Sequence, residues 1–308
     1  MSKKPDTVQT APTRIKKSTG TKIFNVIAYT LLAVGAIVCV LPFIIIVSGS
    51  FTDNATILKQ GYSLFPRNFT FEAYKTIFNS PKDILQAYKM NIYYTVVGTS
   101  LGLMMITLTG YVISRTEFKY RNKVSFLIYF TSIFGGGMIP WYLMYANVLN
   151  LKGHTLAIWF PALMSPFLVI LMRTFIVGAV PNAITEAAKI DGAGHFTIFF
   201  RIVLPVLKAG LATVGLFLAL GYWNDWYRSS MFSTNSSTWQ LQFYLYDLLN
   251  ATTAMKQMAS NVSMKTADLP TESVKLAMAV VATGPVLLFY PFVQRFFVSG
   301  ITVGAVKG

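Results

Sequence analysis

Charge is scarce in this sequence, and negative charge is scarcest: 12% of its 308 residues are Asp, Glu, Lys or Arg, and only 11 are acidic. A soluble globular chain carries about 25% charged residues, so too little polar surface remains here to coat a particle in water. Cysteine is almost missing. A single Cys39 excludes an intrachain disulfide framework and a cysteine zinc site, and inside its apolar run it reads as a small buried residue. No G-x-x-x-x-G-K-[ST] phosphate loop occurs, so a P-loop ATPase cannot reside in this chain. Only two histidines are present, His154 and His195, in different loops that the topology below sets on opposite sides of a bilayer. Neither a metal cluster nor a Ser/His/Asp arrangement can be assembled from them. No cleavable signal peptide is expected, because the first apolar run is too long for one and residues 1–22 are polar and basic.

What the chain has in excess is apolar length. Hydrophobic residues make up 54% of it, and they come in runs. Crossing the hydrocarbon core takes about 20 mostly apolar residues in a helix. Segments near 23–50, 91–114, 124–148, 155–177 and 273–298 meet this, and 203–226 does so apart from Lys208 and Asp225. Unpaired backbone groups find no water inside lipid, so each run must be helical. The expectation is an all-α polytopic membrane protein with six transmembrane helices.

The formal net charge of +15 would suggest nucleic acid in a soluble protein, but its distribution gives another reading. With an inside N-terminus, sixteen of the 26 Lys and Arg and only four of the 11 acidic residues fall on inner segments. Inner loops of membrane proteins are enriched in Lys and Arg, so the excess marks topology and both termini are expected in the cytoplasm. The division that follows is a basic tail at 1–22, a first span with an outer loop at 23–86, a core of spans at 87–298, and a tail at 299–308. The outer stretch 51–90 holds Pro66, Phe69, Phe71 and Tyr74, enough apolar content to fold against the spans, and 227–272 reads as an outer loop with a short helix near Trp239–Asn250.

Several runs carry breaking or packing signals. Gly98 and Gly102 form a GxxxG that lets a neighbouring helix approach. Gly135-Gly136-Gly137 followed by Pro140 should loosen the third run, and Ser165-Pro166 should kink the fourth.

The stretch between the fourth and fifth runs, 180–205, is the most informative. Pro181 suits a first helical turn, and Ile184, Ala187 and Ala188 recur at i, i+3, i+4 on one face of a short helix. Gly192 and Gly194 supply a stop. Phe196, Phe199 and Phe200 repeat the spacing and are expected to rest in the lipid interface, before Ile202-Val203-Leu204-Pro205 opens the fifth run. A helix of about ten residues is marginal alone and needs a partner to dock against.

Glu186-Ala187-Ala188, three residues, Gly192, nine residues, Ile202, one residue, Leu204-Pro205 resembles the EAA loop of binding-protein-dependent ABC importer permeases, with every fixed position filled. The resemblance extends from about residue 23 onward. Phe65-Pro66 with Phe69-Thr70, Ser114-Arg115 with Phe118, Ile139-Pro140, Trp223-Asn224-Asp225-Trp226 and the ending from Gln294 to Gly308 are similar to the carbohydrate-uptake (maltose-type) branch. It implies a type I importer permease fold in a bacterial inner membrane. It also implies that Glu186, Ala187, Ala188, Asp191, Gly192, Leu204 and Pro205 couple the chain to a cytosolic ATPase dimer, which holds ATP and magnesium. The further partners it implies are a second, non-identical permease, a solute-binding protein and a sugar or oligosaccharide. No cofactor of the chain's own and no nucleic acid is expected.

Sugars present apolar ring faces and a rim of hydroxyls, so their sites combine aromatic platforms with short polar groups. Tyr222, Trp223, Asn224, Asp225 and Trp226 offer both, and Trp141 is a further candidate. An interfacial aromatic belt is the alternative for these residues. For the whole chain the alternatives are an ion-gradient-driven transporter, which would place ionisable residues inside its spans, an intramembrane enzyme and a non-transporting scaffold.

Overall fold

The structure, a computed structural model, describes residues 18–261 and 271–305. Most of the basic tail, part of the loop before Thr271 and the final Val306-Lys307-Gly308 lie outside them, as do the side chains of Gln294 to Phe297. Among the described residues there is no strand, only an isolated antiparallel bridge between Thr52 and Phe69. All else that is regular is helix.

Three helices are long and apolar enough to cross a membrane: α1 (Thr19–Ser50), α4 (Pro81–Ser114) and α15 (Thr271–Ala305). The other three expected spans are helix pairs. α5 (Arg121–Ile133) and α6 (Met138–Leu143, wound on to Val148) meet at 113°. The break is where the glycines predict it, with Gly137 at φ +84, a conformation glycine adopts at no steric cost. α7 (Leu156–Trp159, tightening through Ala162) and α8 (Pro166–Ala179) meet at 46° across Ser165-Pro166. The third pair follows α9 (Asn182–Ile190): α10 (His195–Ile198), continued through a wide turn into α11 (Leu204–Val206), lies at 84° to α12 (Lys208–Trp223). The short helices α2 (Asn54–Gln60), α3 (Glu72–Ile77) and α13 (Tyr227–Phe232), with the longer α14 (Leu241–Asn261), gather at the opposite end from α9.

Several boundaries differ from the sequence expectation. α4 begins ten residues early, at Pro81, because a proline at a helix start loses no hydrogen bond and Ile84 buries in a cluster with residues of α14 and α15. The break at residue 86 therefore falls inside one helix. The first tail ends in helix from Thr19, and the last is helical through Ala305. The outer helix near Trp239–Asn250 runs instead from Leu241 to Asn261.

α4, α8 and α12 pack side by side around a core of Ile106, Val169, Met172, Ile176, Val214 and Leu218. The GxxxG brings them together. A Cβ at Gly98 would strike the Tyr222 ring, and one at Gly102 would sit 2.9 Å from the Leu163 carbonyl. A second core joins Ala73 and Ile77 of α3 to Val274, Ala277 and Met278 of α15. The outer stretch folds inward as expected, with Phe51, Phe69, Phe71 and Tyr74 gathered in one aromatic cluster and Tyr74 bonded to Ser50 at 2.9 Å.

α1 stands apart. Thirty-two residues make it about 48 Å long, yet it buries only Ser48, Gly49 and Ser50. Cys39 is consequently exposed rather than buried, because the contact of α1 with α15 buries residues only at the Ser48–Ser50 end of the helix.

Candidate functional site

α9 ends in a closed turn. Gly192 has φ +81; its N–H donates to the Lys189 carbonyl, and the Ala193 N–H donates to Ala188, both at 2.9 Å. This paired arrangement satisfies carbonyls that a helix end leaves free. Gly194 is extended and serves only to start α10.

The face that α9 turns inward is Thr185 and, in part, Ala188 and Lys189. Arg115, at the end of α4, donates to the Thr185 hydroxyl at 3.2 Å and to Ser114 at 3.1 Å, with its guanidinium 5.0 Å from the centre of the Tyr111 ring. Lys189 forms an ion pair with Glu117. The small-residue face expected from spacing is thereby divided. Ala188 packs on the core, whereas Ile184, Ala187 and Ile190 stay exposed beside Glu186 and Asp191, Ile190 at 87%. Hydrogen bonding at Thr185 decides which side faces in.

The aromatic triplet divides in the same way. Phe199 is 1% exposed and packs against Tyr111, while Phe196 and Phe200 face outward. Leu204-Pro205 does not open the fifth span. Pro205 has no N–H to give the Arg201 carbonyl, the chain widens over Phe199–Val203, and it turns at Leu207 before the straight helix begins at Lys208. Ile198, Phe199, Val203 and Leu207 nevertheless belong to the same apolar core as Val214, Leu218 and Tyr222. The elbow and the far end of α12 share one packed interior.

At that far end the candidate residues take different roles. Tyr222 is 1% exposed, with its hydroxyl donating to the Trp159 carbonyl at 2.8 Å. Trp223 is buried, and its indole N–H donates to Ala282 at 3.0 Å. Both are committed to packing. Asp225 pairs with Arg228 at 3.0 Å, each side chain about nine-tenths buried, a partner three residues on that the sequence reading missed. Trp141 joins an aromatic cluster with Tyr145, Tyr227 and Phe232. Only Asn224 and Trp226 are open. Trp226 packs against Tyr246 with ring centres 4.8 Å apart and, with Gln242 and Lys275, lines a groove of about 430 Å³ between α14 and α15. Gln242 reaches Asn224 at 3.5 Å, and Lys275 pairs with Glu272 at 2.9 Å. The i, i+3, i+4, i+7 spacing of Gln242, Leu245, Tyr246 and Leu249 is the sequence signal for that wall.

No protein-family model matches the chain. Among curated proteins it is 34% identical over 287 residues to the "Polygalacturonan/rhamnogalacturonan transport system permease protein YtcP" of Bacillus subtilis, spanning 93% of this chain and 99% of the relative. It is 35% identical over 289 residues to "Protein LplC" of the same organism, spanning 93% and 96%. Among solved structures, a chain of a bacterial ABC transporter involved in the import of the acidic polysaccharide alginate superposes with a TM-score of 0.74 at 28% identity, over 92% of this chain and 99% of that one. With that likeness carried along almost its whole length, this membrane protein belongs to the permease subunits of binding-protein-dependent ABC importers, in their carbohydrate-uptake branch.

Proposed function

We propose that the chain is one half of the transmembrane pathway of an ATP-driven importer for a sugar or oligosaccharide, converting ATP hydrolysis on a separate subunit into alternating access. The termini and α9 face the cytoplasm, where a dimeric ATPase binds ATP and magnesium. A second, non-identical permease completes the pathway, and a solute-binding protein delivers cargo at the far end. Two relatives are described as serving polygalacturonan/rhamnogalacturonan and the acidic polysaccharide alginate, so a uronic-acid-containing oligosaccharide is the cargo class we put first.

In this reading the exposed strip of Ile184, Ala187 and Ile190 enters a cleft of the ATPase, and Glu186 pairs with a basic residue there. Asp191 and Gly192 close the helix so that it moves as a rigid piece. Leu204 and Pro205 carry the motion to the bend at Leu207. From there it passes through the shared core to Tyr222 and to the groove, where Trp226 and Tyr246 offer ring faces while Asn224 and Gln242 offer hydrogen bonds. The observation that supports this most is the packed continuity from Phe199 to Tyr222, since close-packed interiors transmit displacement rather than absorb it.

Reconstitution of the full importer in proteoliposomes tests the proposal. Glu186→Lys should lower substrate uptake at least tenfold while ATP hydrolysis continues and membrane insertion is normal. Unchanged uptake would count against the role given to α9.

A further inference from the structure

Beside the inner face of α9 lies a second, more enclosed pocket of about 240 Å³ that the coupling role does not use. It is lined by Arg115, Arg121 and Arg173, with Ser114, Thr116 and Asn122 among the other residues around it. Arg115 is 6% exposed, and Arg121 and Arg173 are half-buried. Their hydrogen bonds go to neutral groups: Arg115 to the Ser114 and Thr185 hydroxyls, Arg173 to the Ile113 carbonyl at 3.3 Å. Among the described residues none of the three forms a salt bridge, and nearby Glu117 is taken by Lys189.

Charge arithmetic makes this arrangement incomplete. Taking a cation out of water costs several kcal/mol unless an opposite charge meets it. The carbonyls ending α4 supply about half an elementary negative charge, against three guanidiniums. The pocket also faces the first turn of α5, a 13-residue helix starting at Arg121 that no side chain caps, where free N–H groups favour an anion. Guanidinium forks match phosphate oxygens in pairs, and hydroxyl and amide groups complete the donor set.

We propose that this pocket binds a phosphate-bearing anion, and that the anion holds the ends of α4, α5, α8 and α9 together at the base of the elbow. Its position at the membrane surface on the Lys- and Arg-rich side favours the headgroup of an anionic phospholipid, for which basic pockets between helices are suited. Free phosphate shares the chemistry. Occupancy stiffens the floor against which α9 rests, so membrane composition sets how firmly the elbow transmits.

Thermal unfolding of the full chain in neutral detergent at fixed ionic strength decides the matter. It is titrated in parallel with short-chain phosphatidylglycerol, short-chain phosphatidylcholine and inorganic phosphate. Saturable stabilisation by phosphatidylglycerol beyond phosphatidylcholine supports the site with lipid as its source. The same from inorganic phosphate supports the site with a free anion. The double variant Arg121→Gln/Arg173→Gln, which leaves the most buried Arg115 in place, should weaken the apparent affinity at least tenfold. Lys119→Gln/Lys123→Gln, removing equal charge outside the pocket, should not. Absence of saturable stabilisation by both anionic probes, phosphatidylglycerol and inorganic phosphate, would overturn the proposal. So would equal weakening in the two double variants, which would assign the effect to general surface charge.

Discussion

Gly98 and Gly178 are both helical glycines, yet one added methyl group should act on them in opposite directions. At Gly98 it meets the ring of Tyr222 from across the helix interface, and overpacking a fitted core costs about 1–3 kcal/mol. At Gly178 nothing lies within 4 Å, and exchanging glycine for alanine in a helix favours folding by about 0.5–1 kcal/mol. Gly98→Ala should therefore lower the melting temperature in nanodiscs and Gly178→Ala should leave it equal or raise it; equal loss in both would contradict the packing described. A second pair of variants addresses Asp225 and Arg228. Removing one partner of a buried ion pair costs about 3–5 kcal/mol, whereas replacing both is often neutral. Here Asp225 Oδ2 and Arg228 Nη1 lack a well-aligned hydrogen-bond partner, so the pair contributes little of its own. Arg228→Met alone should thus destabilise more than Arg228→Met with Asp225→Asn, measured by the same unfolding assay. The sequence made Asp225 conspicuous as an ionisable residue near the membrane, but it could not show Arg228 folded back on it. Periodicity likewise grouped Ala187 with Ala188 and Phe199 with Phe196, and only the hydrogen bond at Thr185 and the contact with Tyr111 separate them.

The elements were legible where a residue type forces the backbone. Three consecutive glycines broke α5 from α6, Ser165-Pro166 broke α7 from α8, and Gly192 closed α9. The 84° bend at Leu207 was not legible, because leucine carries no turn preference and the bend arises from how the elbow packs on α8 and α4. The early start of α4 was hidden in the same way, its polar first turns being anchored by tertiary contacts such as Gln86 to the Ser237 carbonyl at 2.8 Å. Gly192 gives the sharpest expectation for an element. Its left-handed φ strains any other residue, β-branched ones most and asparagine least, while open space around it rules out a clash. Gly192→Val should cut uptake in proteoliposomes several-fold and Gly192→Asn should retain most of it. Equal loss in both would mean that side-chain volume, not backbone geometry, matters there.

At the scale of the molecule, the proposed cycle moves one end of the chain and lines the pathway with the other. Helices α4, α8 and α12 connect the two through a single core, and α1 is left with almost its whole length uncovered. In the proposed assembly, that bare face meets lipid or the second permease. Composition and charge distribution were enough to read the membrane class and the expected orientation. The groove was beyond them, because its walls come from α14 and α15, separated in sequence from Trp226. Everything else in the proposed transport cycle depends on α9 meeting an ATPase. A photo-crosslinking amino acid placed at Ile190, 87% exposed, in cells expressing the complete importer tests that contact most directly. The account predicts a crosslink from Ile190 to the ATP-binding subunit and none from Leu85, equally apolar and 70% exposed at the far end of α4. Crosslinking of Leu85 to that subunit, or failure of Ile190 to reach it, would contradict the account.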